Sequence, residues 1–262
     1  MMLPPVVAMA WRTYQSSLAR VLWTMCTGWL ALGIVFSYTR AAWVSLAAAG
    51  ALWVLMLIGV RLKALLVAGL GTMVVLAFSW DSLVIQLERN KQDSSDDLAK
   101  HVESISNVSS DASNLERLNR WSCAWAMFVE RPIAGWGPGT YQFEYAPFQT
   151  AELRTQISTN NADLGNAHSE YLGPLAEQGL LGFLAMVALL LAACHVGFKL
   201  HRTLTEPNER ALAMGLFLGL ITYFVHGVLN NYLDTDKASA PFWGFLAMMV
   251  VMDLQSNRES TA

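Results

Sequence analysis

The fold class is decided by residues 172–197, which read LGPLAEQGLLGFLAMVALLLAACHVG. The stretch contains one acidic side chain, Glu177, and is longer than the ~20 mostly apolar residues that a helix needs to cross a bilayer core. A helix also satisfies all of its backbone hydrogen bonds within a single segment, as the interior of a membrane demands. We therefore expect a membrane-spanning helix here.

The whole chain has the composition of a membrane protein. Hydrophobic residues make up 54% of its 262 residues and charged residues 14%, whereas soluble domains carry about 25% charged residues. The mean hydropathy is +0.36. No basic cluster suggests a nucleic-acid partner. The composition thus favours an all-α membrane protein.

Further apolar segments bring the total to about six spanning helices. They are residues 21–38, 41–60, 62–79, 172–197, 211–230 and 239–253. Cytoplasmic loops carry an excess of Lys and Arg, so the basic residues beside these spans predict their orientation. Those residues are Arg12, Arg20, Arg61, Lys63, Lys199, Arg202, Arg210 and Arg258.

This orientation divides the chain into successive regions. They are a cytoplasmic segment (1–20), three spans (21–79), an extracytoplasmic loop (80–170), three spans (171–253) and a cytoplasmic tail (254–262). The turn at Ser37–Arg40 and the turn at 230–237 then lie on the outer side, like the loop. Candidate chemistry is expected there.

The second half of the loop predicts a helix that ends near Arg131, because Pro132 follows. Its spacing suggests an apolar stripe and a separate basic face. The stripe comprises Leu118, Trp121, Trp125 and Phe128, and the basic face Arg117, Arg120 and Arg131. We expect an interfacial amphipathic helix with its aromatic side chains toward the membrane and its arginines toward water.

Several motifs occur in a recognisable order along residues 30–190. They are Ser37-Tyr38-Thr39-Arg40, Arg120-Trp121, Arg131-Pro132-Ile133-Ala134-Gly135-Trp136-Gly137-Pro138-Gly139, Asn166-Ala167-His168-Ser169-Glu170-Tyr171 and Glu177-Gln178-Gly179-Leu180-Leu181-Gly182. In this order the chain resembles the O-antigen ligase and O-antigen polymerase family of bacterial envelope enzymes.

The resemblance implies a transferase of the GT-C type in the bacterial inner membrane, with its large loop periplasmic or extracellular. Such an enzyme takes a glycan from an undecaprenyl-diphosphate carrier and joins it to a hydroxyl of lipid A core or another glycan acceptor. It uses no metal and no cofactor. By position, the resemblance assigns Arg40 and Arg120 to the diphosphate and His168 to the general base.

The residue types suit this chemistry. A guanidinium fork stabilises the charge on a departing diphosphate, and a neutral imidazole accepts the proton of a hydroxyl. The helix that follows His168 disfavours the protonated ring. Arg131 shares the predicted face of Arg120 and is a secondary diphosphate candidate. Glu170, which could orient His168, and Glu177, which could pair with an arginine, are supporting candidates.

Several of these residues also have a structural interpretation that involves no catalysis. Arg40, flanked by Tyr38 and Trp43, also fits a lipid-headgroup anchor, and the arginines of the loop helix fit an anionic-lipid surface. His168 also fits a residue that caps the next helix. The glycine-rich run 135–139 predicts a tight turn that places Trp136 and Tyr141 at the membrane interface.

Other functions stay open from sequence. The acceptor could be another lipid-linked repeat, which would make the chain a polymerase, or the chain could be a non-catalytic subunit that binds lipid-linked glycan. Asp234 and Asp236 have the spacing of a metal-binding pair, although a solvated turn explains them as well, and His226 is an ionisable group inside a span.

Family members have further spanning helices before the Ser-x-x-Arg turn. Three interpretations follow. The chain is a fragment, an inactive remnant, or a polypeptide that needs a partner to supply those helices.

Overall fold

A computed structural model describes residues 1–12, 16–78, 112–154, 158–159 and 165–261. These residues form α-helices, short 3-10 turns and no strand. The α-helices are α1 (Leu3–Ala10), α2 (Ser17–Phe36), α3 (Arg40–Leu57), α4 (Leu62–Phe78), α5 (Ala112–Glu130), α6 (Tyr141–Glu144), α7 (Leu172–Thr203), α8 (Pro207–His226) and α9 (Asp236–Thr261). The predicted all-α class is confirmed.

Within the described ranges, four helices are long and apolar enough to cross a membrane, namely α2, α3, α7 and the Asp236–Arg258 part of α9. The apolar part of α4 is shorter, Leu62–Thr72. The remaining predicted span corresponds to α8, which opens with charged residues at Glu209 and Arg210. Because most of α8 is buried by protein, it needs less hydropathy than a helix in contact with lipid.

The chain folds into two compact units. Unit 1 comprises Met1–Leu62, Ala188–His226 and Tyr232–Ala262, and unit 2 comprises Lys63–Val187 and Gly227–Asn231. In unit 1, α8 contacts α1, α3 and α9. The ring of Phe217 on α8 meets Phe198 edge-on at 6.1 Å, and Phe242 packs against Phe224 at 5.5 Å. Aromatic packing therefore dominates the centre of unit 1.

The short helix α1 lies against a glycine pair on α8. A Cβ atom on Gly215 would lie 2.7 Å from the Cβ of Ala8, and one on Gly219 would lie 2.8 Å from the carbonyl oxygen of Met1. Small residues one turn apart let two helices approach closely. This helix was not predicted from the sequence, and the cytoplasmic assignment of residues 1–20 stays a prediction.

In unit 2, α5 ends at Glu130, just before Arg131-Pro132 as predicted, but its buried face differs from the prediction. The buried residues of α5 are Glu116, Asn119, Arg120, Cys123, Ala124 and Met127. Trp125 of the predicted apolar stripe is 57% exposed, and Arg120 of the predicted water-facing side is 4% exposed. The assignment of faces was wrong because polar partners from later in the chain cover the arginine side.

Candidate functional site

A polar cluster in unit 2 is centred on the buried guanidinium of Arg120. Its Nε donates to Oε1 of Glu116 at 2.6 Å, and its Nη2 donates to the hydroxyl of Thr159 at 2.9 Å. Its Cζ lies 4.0 Å from the centroid of the Tyr145 ring. The helical spacing of Glu116 and Arg120 places the ion pair on one face of α5.

The charge of Arg120 is well compensated. Burial, the largest influence, lowers its pKa, but the hydrogen bond with Glu116 and the nearby Tyr145 raise the pKa above its ordinary value. Its Nη1 is buried and has no hydrogen-bond partner among the residues that the structure describes. A Cβ on Gly165 would lie 2.3 Å from this Nη1, so only a glycine backbone fits beside it. Arg120 thus keeps one buried donor for a ligand.

The partner of Arg120, Thr159, is itself held in place. Its carbonyl accepts from the hydroxyl of Tyr145 at 2.7 Å and from Nε2 of Gln149 at 2.8 Å. Asn119 of α5 donates to Oε1 of Gln149 at 3.0 Å. The segment at 158–159 is therefore tied to the arginine side of α5.

Tyr141 supports the cluster from behind. Its hydroxyl donates to the carbonyl of Arg120 at 2.8 Å, and its ring stacks on Tyr145 with centroids 5.3 Å apart. Burial raises the pKa of Tyr141, so its hydroxyl stays protonated. Because Tyr141 is only 2% exposed, its predicted interfacial position is wrong. Trp136 is half-buried, and its indole donates to the carbonyl of Met127 at 3.0 Å.

His168 lies beside the same helix. Its backbone N–H donates to Oδ1 of Asn166 at 3.0 Å, and its carbonyl accepts from the indole of Trp121 at 3.3 Å. Its φ of 48° is in the left-handed region, which non-glycine residues adopt rarely and which is often found at functional sites. The backbone of His168 is thus fixed from two sides.

The imidazole of His168 is neutral at physiological pH. Burial, followed by the charges of Arg117 and Arg120, lowers its pKa to about 4, against a smaller upward effect of Glu116. Within the described part of the chain, no hydrogen bond engages its ring nitrogens. These nitrogens can therefore accept a proton from a ligand.

The start of α7 is capped by the residue next to His168. The hydroxyl of Ser169 accepts from the backbone N–H groups of Tyr171 and Leu172 at 3.3 Å each. The alternative in which His168 caps this helix is therefore unsupported, since Ser169 does so. Glu170 is buried, and its N–H donates to the carbonyl of Gly227 at 2.7 Å. Its role in orienting His168 stays a prediction.

Arg117 is a neighbour of His168 that the predicted site left out. Its Nε donates to the carbonyl of Leu229 at 3.2 Å. After burial, it has the largest effect on the pKa of His168. Together with the bond between Glu170 and Gly227, it ties the 227–231 turn to the cluster within unit 2.

Glu177 fixes the glycine-rich loop. Its carboxylate accepts from the backbone N–H of Gly139 at 2.9 Å and from that of Tyr141 at 3.0 Å. The predicted pairing of Glu177 with an arginine is wrong, because backbone amides at the start of α6 satisfy the charge. Glu177 thereby supports Tyr141 and, through it, Arg120.

The loop 132–137 lies on a break in α7. Gly179 has φ 64° and ψ −157°, and the N–H of Leu180 donates to the carbonyl of Pro132 at 2.9 Å. A Cβ on Gly179 would lie 2.4 Å from the carbonyl oxygen of Ile133, and one on Gly135 would lie 2.3 Å from the carbonyl carbon of Glu177. These glycines are needed for the close contact between the two backbones.

Arg131 and Arg40 were also predicted to bind the diphosphate. Arg131 is exposed, and its Cζ stacks 3.9 Å from the centroid of the Trp136 ring. Arg40 is the first residue of α3 and belongs to unit 1, directly after a turn in which Tyr38 has a φ of 50°. Neither Arg40 nor Arg131 is among the partners of Arg120 in the described residues, so their participation in one site is a proposal.

Two acidic residues outside the cluster have the spacing of a metal-binding pair. Asp234 lies in the turn before α9, Asp236 is the first residue of α9, and both are exposed. Among the residues that the structure describes, no three His, Cys, Asp or Glu side chains are grouped so as to hold a metal ion.

A comparison with protein families matches residues 25–187 to the family described as O-antigen ligase. This match covers more than half of the chain. The chain belongs to the O-antigen ligase family. The predicted family is confirmed, and all of the predicted site residues lie inside the matched region. Searches of curated proteins and of solved structures find no significant match.

As an O-antigen ligase family member, the chain has a membrane function in processing lipid-linked glycans. Its apolar helices make it a multi-pass membrane protein. Sequence reasoning did not identify Glu116, Tyr145 or Thr159 as parts of the site. Only Glu116 carried a signal, because an acid four residues before Arg120 on a helix is positioned to pair with it.

Proposed function

We propose that the chain transfers a glycan from undecaprenyl diphosphate to a sugar hydroxyl of lipid A core or of another glycan acceptor. The transfer takes place on the outer side of the bacterial inner membrane. The observation that carries the proposal is a neutral histidine, His168, beside two arginines, Arg117 and Arg120, in one compact unit.

The arginines suit the donor. Breaking the bond between the sugar and the diphosphate leaves negative charge on the phosphate oxygens, and fixed guanidinium groups stabilise that charge. Arg120 has a buried Nη1 that no described residue satisfies. Arg117, Arg40 and Arg131 are the further candidates for binding the diphosphate.

His168 suits the acceptor. Its neutral ring takes the proton of the acceptor hydroxyl while that oxygen forms a bond to the anomeric carbon, and the diphosphate leaves with the electron pair of the broken bond. A pKa of about 4 makes the ring a weak base before the donor binds. A bound diphosphate would offset the charges of Arg117 and Arg120 and so raise this pKa. The base is thus strongest when the donor is present.

The test is a transfer assay in membranes with a lipid-linked glycan and an acceptor, with any required partner helices co-expressed. We expect His168→Ala to slow transfer by ~10²–10⁴-fold. Asn257→Ala, which alters a residue at the far end of α9, is the control and should leave the rate unchanged. Full activity of His168→Ala would rule out the proposed base.

The same assay separates the acceptors. A single added glycan indicates a ligase, whereas a ladder of product lengths indicates polymerisation on another lipid-linked repeat. Binding of the lipid-linked glycan without any product would instead indicate a non-catalytic subunit.

A further inference from the structure

Unit 1 contains an apolar groove that the proposed transfer does not use. It has a volume of about 640 Å³ and lies between α1, α3 and α8. Hydrocarbon side chains make up most of its walls, among them Val7, Leu46, Trp53, Leu57, Met214 and Leu218. Water is a poor occupant of such a groove, and hydrocarbon a good one.

One end of the groove is cationic. His201 and Arg210 line it there, whereas Leu218 lies further along α8 from Arg210, ~12 Å away at the helical rise. The Nδ1 atom of His201 is buried and has no hydrogen-bond partner among the described residues. No carboxylate within those ranges pairs with Arg210. The groove thus ends on the exposed guanidinium of Arg210, which has no carboxylate partner in the described chain, and on a buried imidazole nitrogen without a hydrogen bond to any described residue.

A second cavity extends the same cationic end. It has a volume of about 200 Å³ and is lined by His201 and Arg202, together with apolar residues such as Met56 and Phe198. His201 therefore lies between two spaces, each bordered by one arginine. Basic residues in membrane proteins are often explained by topology alone, but topology requires neither a groove nor a buried ring nitrogen.

We propose that this groove binds one acyl chain of an anionic phospholipid whose phosphate lies at His201 and Arg210. The acyl chain fills the apolar length, and the phosphate accepts hydrogen bonds from the guanidinium and from the imidazole. A wholly apolar protein helix would fill the apolar part but would leave the cationic end without a counter-charge. Charge complementarity therefore favours the lipid.

The test is native mass spectrometry of the full chain after exchange into phosphatidylglycerol or into phosphatidylcholine with the same acyl chains. We expect the wild type to retain phosphatidylglycerol preferentially. Arg210→Gln should weaken that retention about tenfold, as expected for the loss of one charged hydrogen bond. Arg258→Gln, at the end of α9, is the matched charge control and should retain the lipid.

A second variant tests the groove itself. Gly50 lines the groove, and a Cβ there meets nothing within 4 Å, so Gly50→Phe should fill the space and abolish retention of the lipid. Gly28 on α2 is equally open but does not line the groove, which makes Gly28→Phe the control. Circular dichroism verifies the helix content of both variants.

Several outcomes would overturn the proposal. They are equal retention of the two lipids by the wild type, an effect of Arg258→Gln as large as that of Arg210→Gln, and undiminished lipid on Gly50→Phe. Loss of a dimer peak on Gly50→Phe would show that a second copy of the chain occupies the groove. Displacement of the lipid by inorganic phosphate alone would show that the cationic end binds a free anion.

Discussion

Units 1 and 2 bury their polar side chains in different ways. In unit 1, the buried hydroxyls of Ser45 and Thr222 donate to carbonyls of their own helices, at 2.8 and 2.7 Å. In unit 2, the buried Glu116 and Arg120 bond to each other and to side chains from other segments. The first pattern satisfies a polar atom locally, as a membrane helix requires. The second builds a charged network, whose integrity depends on every member.

The largest expected difference between the units comes from breaking the buried ion pair. Glu116→Gln leaves the charge of Arg120 buried without its counter-ion, which should destabilise the protein by about 3–5 kcal/mol. Thr222→Val in unit 1 removes one hydrogen bond to the same helix and should cost about 1 kcal/mol or less. Thermal unfolding in detergent measures both. Equal costs would mean that the network contributes no more than a local hydrogen bond.

The next largest effect is expected at the contact between the glycine-rich loop and α7. Gly135→Ala places a Cβ against the backbone of Glu177 at a positive φ, and we expect it to cost about 2–4 kcal/mol. Gly139→Ala also has a positive φ, but its Cβ meets nothing within 4 Å. It isolates the cost of the strain alone. The same unfolding midpoint for both variants would contradict the proposed close contact.

A smaller effect is expected from the carboxylate that holds this loop. Glu177→Gln keeps one acceptor oxygen but loses the charge that binds the amides of Gly139 and Tyr141. Hydrogen exchange at these amides should be about tenfold faster, corresponding to the loss of roughly one charged hydrogen bond. Gln178→Ala, at the exposed neighbouring position, should leave the exchange unchanged. Unaltered protection in Glu177→Gln would remove its supporting role.

The smallest expected effect is a shift in a titration. Because the folded pKa of His168 is about 4 and lies below its ordinary value, its ring stays neutral as the pH falls from 7 to 5. The unfolded chain takes up a proton at this histidine below about pH 6.5, whereas the folded chain does so only near pH 4, so stability decreases as the pH falls from about 6.5 toward 4. Arg117→Gln removes a positive neighbour and should raise the midpoint measured by NMR. A wild-type midpoint at or above 6 would contradict the buried position of the ring.

The sequence could predict what depends on composition and local spacing. Long apolar segments predicted the helical class and the main spans, and Pro132 predicted the end of α5. The motif order predicted the family, and with it the region that contains Arg120 and His168. These predictions succeed because the constraints that a bilayer and a proline impose apply to residues that are adjacent in sequence.

The face on which Arg120 lies could not be predicted in the same way. An arginine in an amphipathic pattern is expected to face water, and its burial depends on Tyr145 and Thr159, which lie 25 and 39 residues later in the chain. The bonds of Glu177 were missed for a related reason, because its acceptors meet backbone amides that have no side-chain signature. Sequence periodicity therefore predicts neither contacts between residues that are distant in sequence nor side-chain contacts to the backbone.

The length of α7 has a consequence for the surrounding lipid. The 24 residues that follow the break at Gly179, 180–203, extend ~36 Å at the helical rise, whereas the hydrocarbon core is ~30 Å thick. When the basic end at His201–Arg202 lies at one boundary of that core, Gly179 lies near the opposite boundary, at headgroup depth. A thicker bilayer would immerse the bonds between Glu177 and the loop amides in hydrocarbon, and a thinner one would expose them to water. The acyl-chain length of the lipid is therefore expected to change the strength of the Glu177 hydrogen bonds that support Tyr141 and, through it, Arg120.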